Sequence, residues 1–248
     1  MSGHSKWATI KHKKGAADKA RGKLFAKLAR QIEVAAKSGG DVESNPTLRT
    51  AIQKAKAARM TNDAIERAVK RGTGDSDGGV YESIMYEGYA PGGVALLIDV
   101  LTDNRNRTGA EIRGVFTKLG GSMAEPGAVS WQFARQGVIL TGDGLDEDEI
   151  MTVALDAGAE DVVAESGAFR VVTEPSEVFD VKTALDDAGV EVISADSPMV
   201  SENLVPVTDT GDAKAILRIL EALEDNDDVQ DVFSNFDMSE DLMEAATA

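Results

Sequence analysis

The segment Gly72-Thr-Gly-Asp-Ser-Asp-Gly-Gly79 divides the chain into two parts of opposite charge. Its glycine, serine, threonine and aspartate residues are typical of a flexible linker. Residues 1–72 hold 17 Lys or Arg and 6 Asp or Glu, a net charge of +11, whereas residues 73–248 hold 9 and 37, a net charge of −28. We therefore expect a basic first domain that this linker joins to an acidic remainder.

Glycine and aspartate residues also occur in calcium and nucleotide sites, but the spacing in this segment excludes both. A calcium loop that began at Asp75 would need glycine at position 80 and glutamate at position 86, where the chain has Val80 and Tyr86. The glycines miss the dinucleotide-binding spacing, and no Gly-Lys-Ser/Thr phosphate loop follows a strand. We expect no bound cofactor at this segment.

Composition excludes several classes of function. The 248 residues include no cysteine, which rules out disulfides, thiolate catalysis and cysteine-based zinc sites. The two histidines, His4 and His12, both lie in the basic part, so a histidine triad or a multi-histidine metal site is not expected. Apolar runs such as Val94–Ile98 are too short to cross a bilayer. We expect a soluble cytoplasmic protein with no cofactor, no metal and no membrane partner, and a monomer, although the sequence does not determine the oligomeric state.

Before the linker, the pattern of residues 18–38 predicts an amphipathic helix. At about 100° per residue its basic side chains fall on one side and its apolar side chains on the other. The basic stripe consists of Lys19, Lys23, Lys27, Arg30 and Lys37, and the apolar face of Leu24, Phe25, Leu28, Ile32 and Ala35.

Two further helices follow in the basic part. Gly39-Gly40 ends the first helix, and Asn45-Pro46 supplies a cap residue with proline at the first helical position of the second. A turn near Met60–Asn62 leads to a third helix, which we expect to stop at Gly72 as a left-handed residue after the helix. Such a pair of short helices resembles a helix-turn-helix, a pattern that is also common in small bundles.

After the linker the sequence becomes rich in strands. Two strands, Tyr81–Tyr89 and Val94–Leu101, are joined by a turn at Pro91-Gly92-Gly93, and a helix follows from about Arg105 to Leu119. The alternation in Val129-x-Trp131-x-Phe133 predicts a half-buried strand with Trp131 in the core.

Residues 138–193 predict the strand–helix–strand–strand–helix–strand order of a ferredoxin-like unit. One more helix and one more strand near the end of the chain would complete the sheet that began at residue 81. We predict an α+β protein: an N-terminal three-helix domain followed by two α/β sandwich-like domains, the third (ferredoxin-like) inserted into the second. The predicted boundaries are 1–74, 80–135 with 206–238, 136–205 for the insert, and 239–248 as an acidic tail.

Several motifs resemble the YebC/PmpR family. The most specific is Ser2-Gly-His-Ser-Lys-Trp-Ala-Thr-Ile-Lys-His-Lys-Lys14 at the start of the chain. The resemblance extends over essentially the whole chain, through Lys23-Leu-Phe-Ala-Lys-Leu28, Asn45-Pro-x-Leu-Arg49, Met60-x-Asn-Asp-x-Ile-Glu-Arg67, Tyr86-Glu-Gly-Tyr-Ala-Pro-Gly-Gly93, Thr102-Asp-Asn-Arg-Asn-Arg-Thr108 and Asp228-Val-Gln-Asp-Val232.

This resemblance implies three domains, the third inserted into the second, and a non-enzymatic regulator of gene expression. Family members carry the name of probable transcriptional regulators that bind DNA. Mitochondrial relatives activate translation, and bacterial relatives act on ribosomes stalled at proline-rich stretches. The resemblance therefore leaves two functions open, both of which use a basic surface.

A lysine-rich surface suits phosphates rather than base edges. Trp7 either stacks on a base or attaches the arm to the bundle, and the histidines either donate to phosphates or have no role. The Asp103–Arg107 segment adds a second candidate contact, with a helix cap as its alternative. The candidate nucleic-acid-binding residues are His4, Lys6, Trp7, Lys11, His12, Lys13, Lys14, Lys19, Lys23, Lys27, Arg30, Arg105, Asn106 and Arg107.

The kind of nucleic acid is less constrained. A lysine-dominated arm with one aromatic residue favours structured RNA that is bound by shape and backbone, such as ribosomal RNA or tRNA, and hence the ribosome as a partner. DNA is the alternative, with the third helix as its reader. Carboxylates are abundant but have no histidine or cysteine partner, so we expect no catalytic residues, and an enzyme is only a remote alternative.

Overall fold

The computed structural model describes residues 17–74, 81–142, 146–165 and 168–247, with the side chains of 17–20 and 165 left out. Helices are combined with mainly antiparallel sheets, so the predicted α+β class is confirmed. The predicted residue boundaries of the domains stay predictions.

Three helices form the first domain. They are α1 (Ala17–Ala36), α2 (Pro46–Ala57) and α3 (Asn62–Thr73). Their apolar faces meet in one core that includes Leu28, Ile32, Leu48 and Ile65. As predicted, Pro46 opens α2, and the Asn45 side chain accepts a hydrogen bond from the Leu48 amide at 3.1 Å.

Gly72 does not end α3, and the prediction of a left-handed residue there was wrong. The helix continues to Thr73, and Gly72 is buried within it. A Cβ at Gly72 would lie 2.2 Å from the Glu33 carbonyl oxygen and 2.7 Å from the Ala36 Cβ. Glycine is therefore needed here because α1 and α3 approach each other closely.

The second domain is built on a four-stranded antiparallel sheet. Its elements are β1 (Glu82–Tyr89), β2 (Ala95–Thr102), α4 (Arg105–Leu119), β3 (Ser122–Met123), α7 (Thr210–Glu224) and β11 (Val229–Ser234). The strand order is β11-β2-β1-β3, with Val232 opposite Ile98. Apolar side chains of α4 and α7, among them Phe116 and Ile216, pack against the sheet.

A second four-stranded sheet lies between β3 and α7 in the sequence. Its elements are β5 (Gly137–Thr141), α5 (Glu147–Asp156), β6 (Asp161–Glu165), β7 (Ala168–Thr173), α6 (Val178–Asp187) and β8 (Val192–Asp196). The strand order β6-β7-β5-β8 is that of the predicted ferredoxin-like unit. The two large sheets differ in strand order, because the sequence-adjacent strands β1 and β2 form the centre of the first sheet, whereas β5 and β7 form the centre of the second.

Short strands and a final helix complete the chain. The strands β4 (Phe133–Arg135) and β9 (Met199–Ser201) pair with each other, as do β10 (Val205–Pro206) and β12 (Phe236–Asp237). Helix α8 (Glu240–Thr247) buries Met243 in the core of the second domain. The sequence predicted only an acidic tail at these residues.

Trp131 is exposed, so the prediction of a core residue in a strand was wrong. Residues Ser130–Gln132 form a 3-10 turn, and 72% of the Trp131 surface is accessible. The buried Glu87 carboxylate accepts hydrogen bonds from the amides of Gly127, Val129 and Ser130, at 2.6 to 3.0 Å. These bonds bend the chain around Glu87, so the alternation of side chains begins only at Phe133.

Candidate nucleic-acid interface

The basic face of helix α1 lies against an acidic loop of the second domain. We use "acidic loop" for residues 224–228, the last residue of α7 and the turn that leads to β11. Lys23 Nζ lies 2.7 Å from Asp225 Oδ1, Lys27 Nζ donates to the Glu224 carbonyl at 2.8 Å, and Arg30 donates to the Asp227 carbonyl and to Asp228 Oδ1, both at 3.1 Å. The part of the stripe that the structure describes is thus engaged within the molecule.

The end of α7 explains why cations gather there. The last carbonyl groups of a helix have no partner within the helix and carry its negative dipole end. Helix α7 has no basic residue in its last turn, and Glu224 is its final residue. Lys27 of α1 donates to the Glu224 carbonyl, and Lys23 donates to the next one, that of Asp225, at 3.2 Å. Cations from the first domain therefore bond the free carbonyl groups at the end of α7, as a lysine in the last turn of that helix could.

Asp228 is the best-anchored carboxylate of the acidic loop. Its side chain is only 9% exposed. Oδ2 accepts hydrogen bonds from Thr108 Oγ1 at 2.6 Å, Thr102 Oγ1 at 3.1 Å and Arg107 at 2.5 Å, while Oδ1 faces Arg30. Burial alone would raise the pKa of Asp228, but the hydrogen bonds from Thr108, Arg107 and Thr102 outweigh it and hold the pKa below its ordinary value.

A polar cavity of about 490 Å³ opens beside these contacts, between α1 and the second domain. Tyr81 lies at its edge, with the Arg30 guanidinium 5.3 Å and the Lys37 ammonium 5.7 Å from the ring centroid. Both distances suit a cation–π contact. The remaining lining residues are Asp103, Arg107, Glu111, Asp225, Asn226, Asp227 and Asp228.

Lys54 on helix α2 makes a second contact between the domains. Its ammonium lies 3.2 Å from Asp196 at the end of β8 and 3.4 Å from Asp231 on β11. Asp99 lies directly opposite Asp231 in the sheet. Burial and the Asp231 charge raise the pKa of Asp99, and although burial lowers the pKa of Lys54, the charges of Asp231 and Asp196 raise it overall. Lys54 thus neutralises a cluster of carboxylates from two domains.

Other cations of the first domain are exposed to solvent. Lys56 lies in the last turn of α2, Arg59 lies just after that helix, and Arg67 and Lys70 lie on α3. Within the part of the chain that the structure describes, none of these four has an ion-pair partner. They are available to an external anion without any rearrangement.

The structure divides the candidate residues into three groups. His4, Lys6, Trp7, Lys11, His12, Lys13 and Lys14 lie outside the described residues, and Lys19 lies in α1 without a described side chain. Lys23, Lys27, Arg30 and Arg107 contact the acidic loop. Arg105 and Asn106 are exposed at the start of α4, which Asn104 caps by accepting from the Arg107 amide at 3.1 Å.

The acidic loop and Lys54 were missed as parts of the interface. The run Glu224–Asp228 is visible in the sequence, but nothing local indicates that its partner lies almost 200 residues earlier. Among residues 17–74, 81–142, 146–165 and 168–247, no group of three or more acidic or histidine side chains could hold a metal ion. In the same ranges, no helix has the length and apolar character needed to span a membrane.

Comparison with known proteins matches both parts of the chain. Residues 5–75 match the family model described as the TACO1/YebC protein N-terminal domain, and residues 81–236 match that of the TACO1/YebC second and third domain. The chain belongs to the TACO1/YebC family. The resemblance found at the start of the sequence is therefore confirmed.

Relatives in the TACO1/YebC family are similar over their full length. A protein of Halothermothrix orenii is 55% identical over 100% of this chain and 99% of its own length, and one of Trichlorobacter lovleyi is 53% identical over 98% and 99%. Both are named "Probable transcriptional regulatory protein". The crystal structure of a conserved hypothetical protein from Aquifex aeolicus is 43% identical, with a TM-score of 0.77 over 90% of this chain and 93% of that one.

Proposed function

We propose that this TACO1/YebC member is a non-enzymatic regulator of gene expression that binds nucleic acid through its basic first domain. The observation that carries the proposal is the net charge of +11 on residues 1–72 in a chain whose net charge is −17. A compact cationic domain attracts phosphate backbones and increases the rate of encounter with them. The names of the relatives support a regulatory role.

The proposed contact is mainly with phosphates. The lysines at positions 6, 11, 13 and 14 would contribute from the arm, and Lys19, Lys23, Lys27 and Arg30 from α1. Lysine is a compact point charge, which suits a phosphate better than a base edge. Exposed cations at Lys56, Arg59, Arg67 and Lys70 enlarge the surface on which such contacts can form.

We favour structured RNA on the ribosome as the target, and hence a role in translation that relieves stalling. This preference rests on the lysine-dominated arm and on the position of Arg67 and Lys70 late in α3. A DNA-reading helix usually has its base contacts near its start, where α3 has Asn62 and Asp63. The alternative is a DNA-binding transcriptional regulator, which the relatives' names favour.

Binding across a salt series tests the proposal. Fluorescence anisotropy of a labelled ribosomal RNA hairpin should give log affinity against log salt with a slope of roughly −4 to −5 if about six phosphates are neutralised. Alanine at Lys11, Lys13 and Lys14 should flatten the slope by up to roughly three phosphate equivalents and weaken different sequences about equally. The control replaces Lys118, Lys214 and Arg218, which are exposed on the second domain, by alanine.

Two results would change the conclusion. A slope that the triple lysine change leaves unaltered would contradict the phosphate contact. Tighter, sequence-selective binding to duplex DNA than to RNA would replace the translational role by the transcriptional one.

A further inference from the structure

We infer that the acidic loop, residues 224–228, is an intramolecular competitor for the nucleic-acid-binding face of helix α1. Nucleic acid must displace the loop before Lys23, Lys27 and Arg30 can bind phosphates. This inference rests on the proposed function and adds to it a device that sets selectivity.

The loop presents acceptors in the way that a phosphate backbone does. Three cations, spaced along one face of α1, meet three carbonyl oxygens and two carboxylates of successive residues. The contacts are charge-assisted hydrogen bonds of 2.7 to 3.2 Å between the side chains of Lys23, Lys27 and Arg30 and residues 224–228. These cations have further N–H donors, but the loop occupies the space beside them and its carboxylates repel a phosphate, so the loop and a phosphate compete for the same cations.

The contact is suited to exchange. In the Lys23–Asp225 pair the side chains are 34% and 69% exposed, so water and salt screen the attraction. The Lys54 contact with Asp196 and Asp231 must open as well if the whole first domain leaves.

The acidic loop keeps its own supports when α1 leaves. Asp228 loses only Arg30, because Thr102, Thr108 and Arg107 belong to the second domain and continue to donate to Oδ2. The Asn226 side chain accepts from the Asp228 amide at 2.9 Å and donates to Glu111 at 2.8 Å. The loop is therefore preorganised, so it can rebind without first being ordered.

Competition makes binding selective. With a tethered competitor, the apparent affinity equals the intrinsic affinity multiplied by the fraction of molecules in which the basic face is open. A nucleic acid that places several phosphates along α1 and the arm at once can displace the loop, whereas a short oligonucleotide cannot. The acidic part of the chain would thus compete with nucleic acid for the basic face as well as repel it through its net charge of −28.

Zero-length crosslinking of the full chain tests the competition directly. A carbodiimide couples an ammonium to a carboxylate in contact, so it should join Lys23 to Asp225, and a ribosomal RNA hairpin should suppress this crosslink at concentrations that saturate binding. The reference is the Lys182–Asp186 pair within α6, whose crosslink should not change. A Lys23–Asp225 crosslink that persists at saturation would overturn the inference.

Charge removal provides a second, independent measurement. Asp225→Asn with Asp227→Asn should raise the affinity for the hairpin about threefold or more, because a larger fraction of molecules then has an open basic face. The matched control, Asp156→Asn with Asp187→Asn, makes the same change in net charge at exposed helix ends of the inserted domain. It should raise the affinity for the hairpin less than the loop variant does. Equal gains in both variants would overturn the inference and leave the proposed function intact, whereas no binding by any variant or by the wild type would overturn the proposed function itself.

Discussion

The first domain contains two sets of cations that are alike in sequence and different in environment. Lys23, Lys27 and Arg30 of α1 and Lys54 of α2 contact carboxylates or carbonyls of other domains. The cations at Lys56, Arg59, Arg67 and Lys70 are exposed, and the described part of the chain provides them with no ion pair. Lys54 and Lys56 are only two residues apart. The difference shows that a basic residue acquires its role from the element that packs against it.

The largest effect should come from Lys54, which holds carboxylates of two domains together. Lys54→Ala leaves Asp99, Asp231 and Asp196 without their shared cation, and we expect it to lower the free energy of unfolding by about 2 kcal/mol. Lys56→Ala, two residues further along α2, should change it by less than about 0.5 kcal/mol. Urea unfolding of the full chain, followed by circular dichroism, measures both, and equal effects would remove the distinction between held and exposed cations.

Asp228 should show the next largest effect, together with a dependence on pH. Its pKa is lowered in the folded state, so its contribution to stability is complete above the unfolded pKa of about 3.9 and is lost as the pH falls through the folded value. Asp228→Asn should cost about 1–2 kcal/mol at neutral pH and less as the pH falls below about 4.

Unfolding at a series of pH values checks this prediction. The two curves, wild type and Asp228→Asn, should converge in acid, where the wild-type carboxyl is also protonated. A constant difference between them down to pH 2 would mean that the charge of Asp228 does not stabilise the fold.

Arg107 and Arg105 allow the same comparison at the start of α4. Arg107 donates to Asp228 and Asp103, and the hydrogen bond to Asp228 raises its pKa, whereas Arg105 is exposed and forms no ion pair with any described residue. We expect Arg107→Ala to lower the melting temperature by a few degrees and Arg105→Ala to leave it unchanged. If Arg105 contacts nucleic acid, as the sequence predicts, its replacement should weaken binding in the anisotropy assay without lowering the melting temperature.

The smallest effect on stability should come from Lys23. Its pair with Asp225 is exposed, so Lys23→Ala should cost no more than about 0.5 kcal/mol in dilute buffer. The cost should vanish in 1 M salt, where the screening length is about 3 Å. Differential scanning calorimetry at low and high salt measures this change. A loss of stability that salt does not reduce would indicate packing of the lysine stem instead of charge.

Local patterns were sufficient to predict most elements. The Asn45-Pro46 start of α2, the turn at Pro91–Gly93 and the ferredoxin-like order of residues 137–196 depend on nearby residues, and the structure contains all of them. The predictions failed at Gly72 and Trp131, where distant groups decide the conformation. Glu33 on α1 requires glycine at position 72, and Glu87 bends the loop that exposes the tryptophan.

The sequence by itself determined the separation of charge, the periodicity of the helices and strands, and the family to which the chain belongs. Only the tertiary structure decided which cations are exposed and which are paired. The contact between Arg30 and Asp228 joins residues 198 positions apart, and that between Lys54 and Asp231 joins residues 177 positions apart. Such pairs arise from the packing of whole domains, and because attraction between charges depends on distance and burial, no local pattern of lysines and aspartates specifies them.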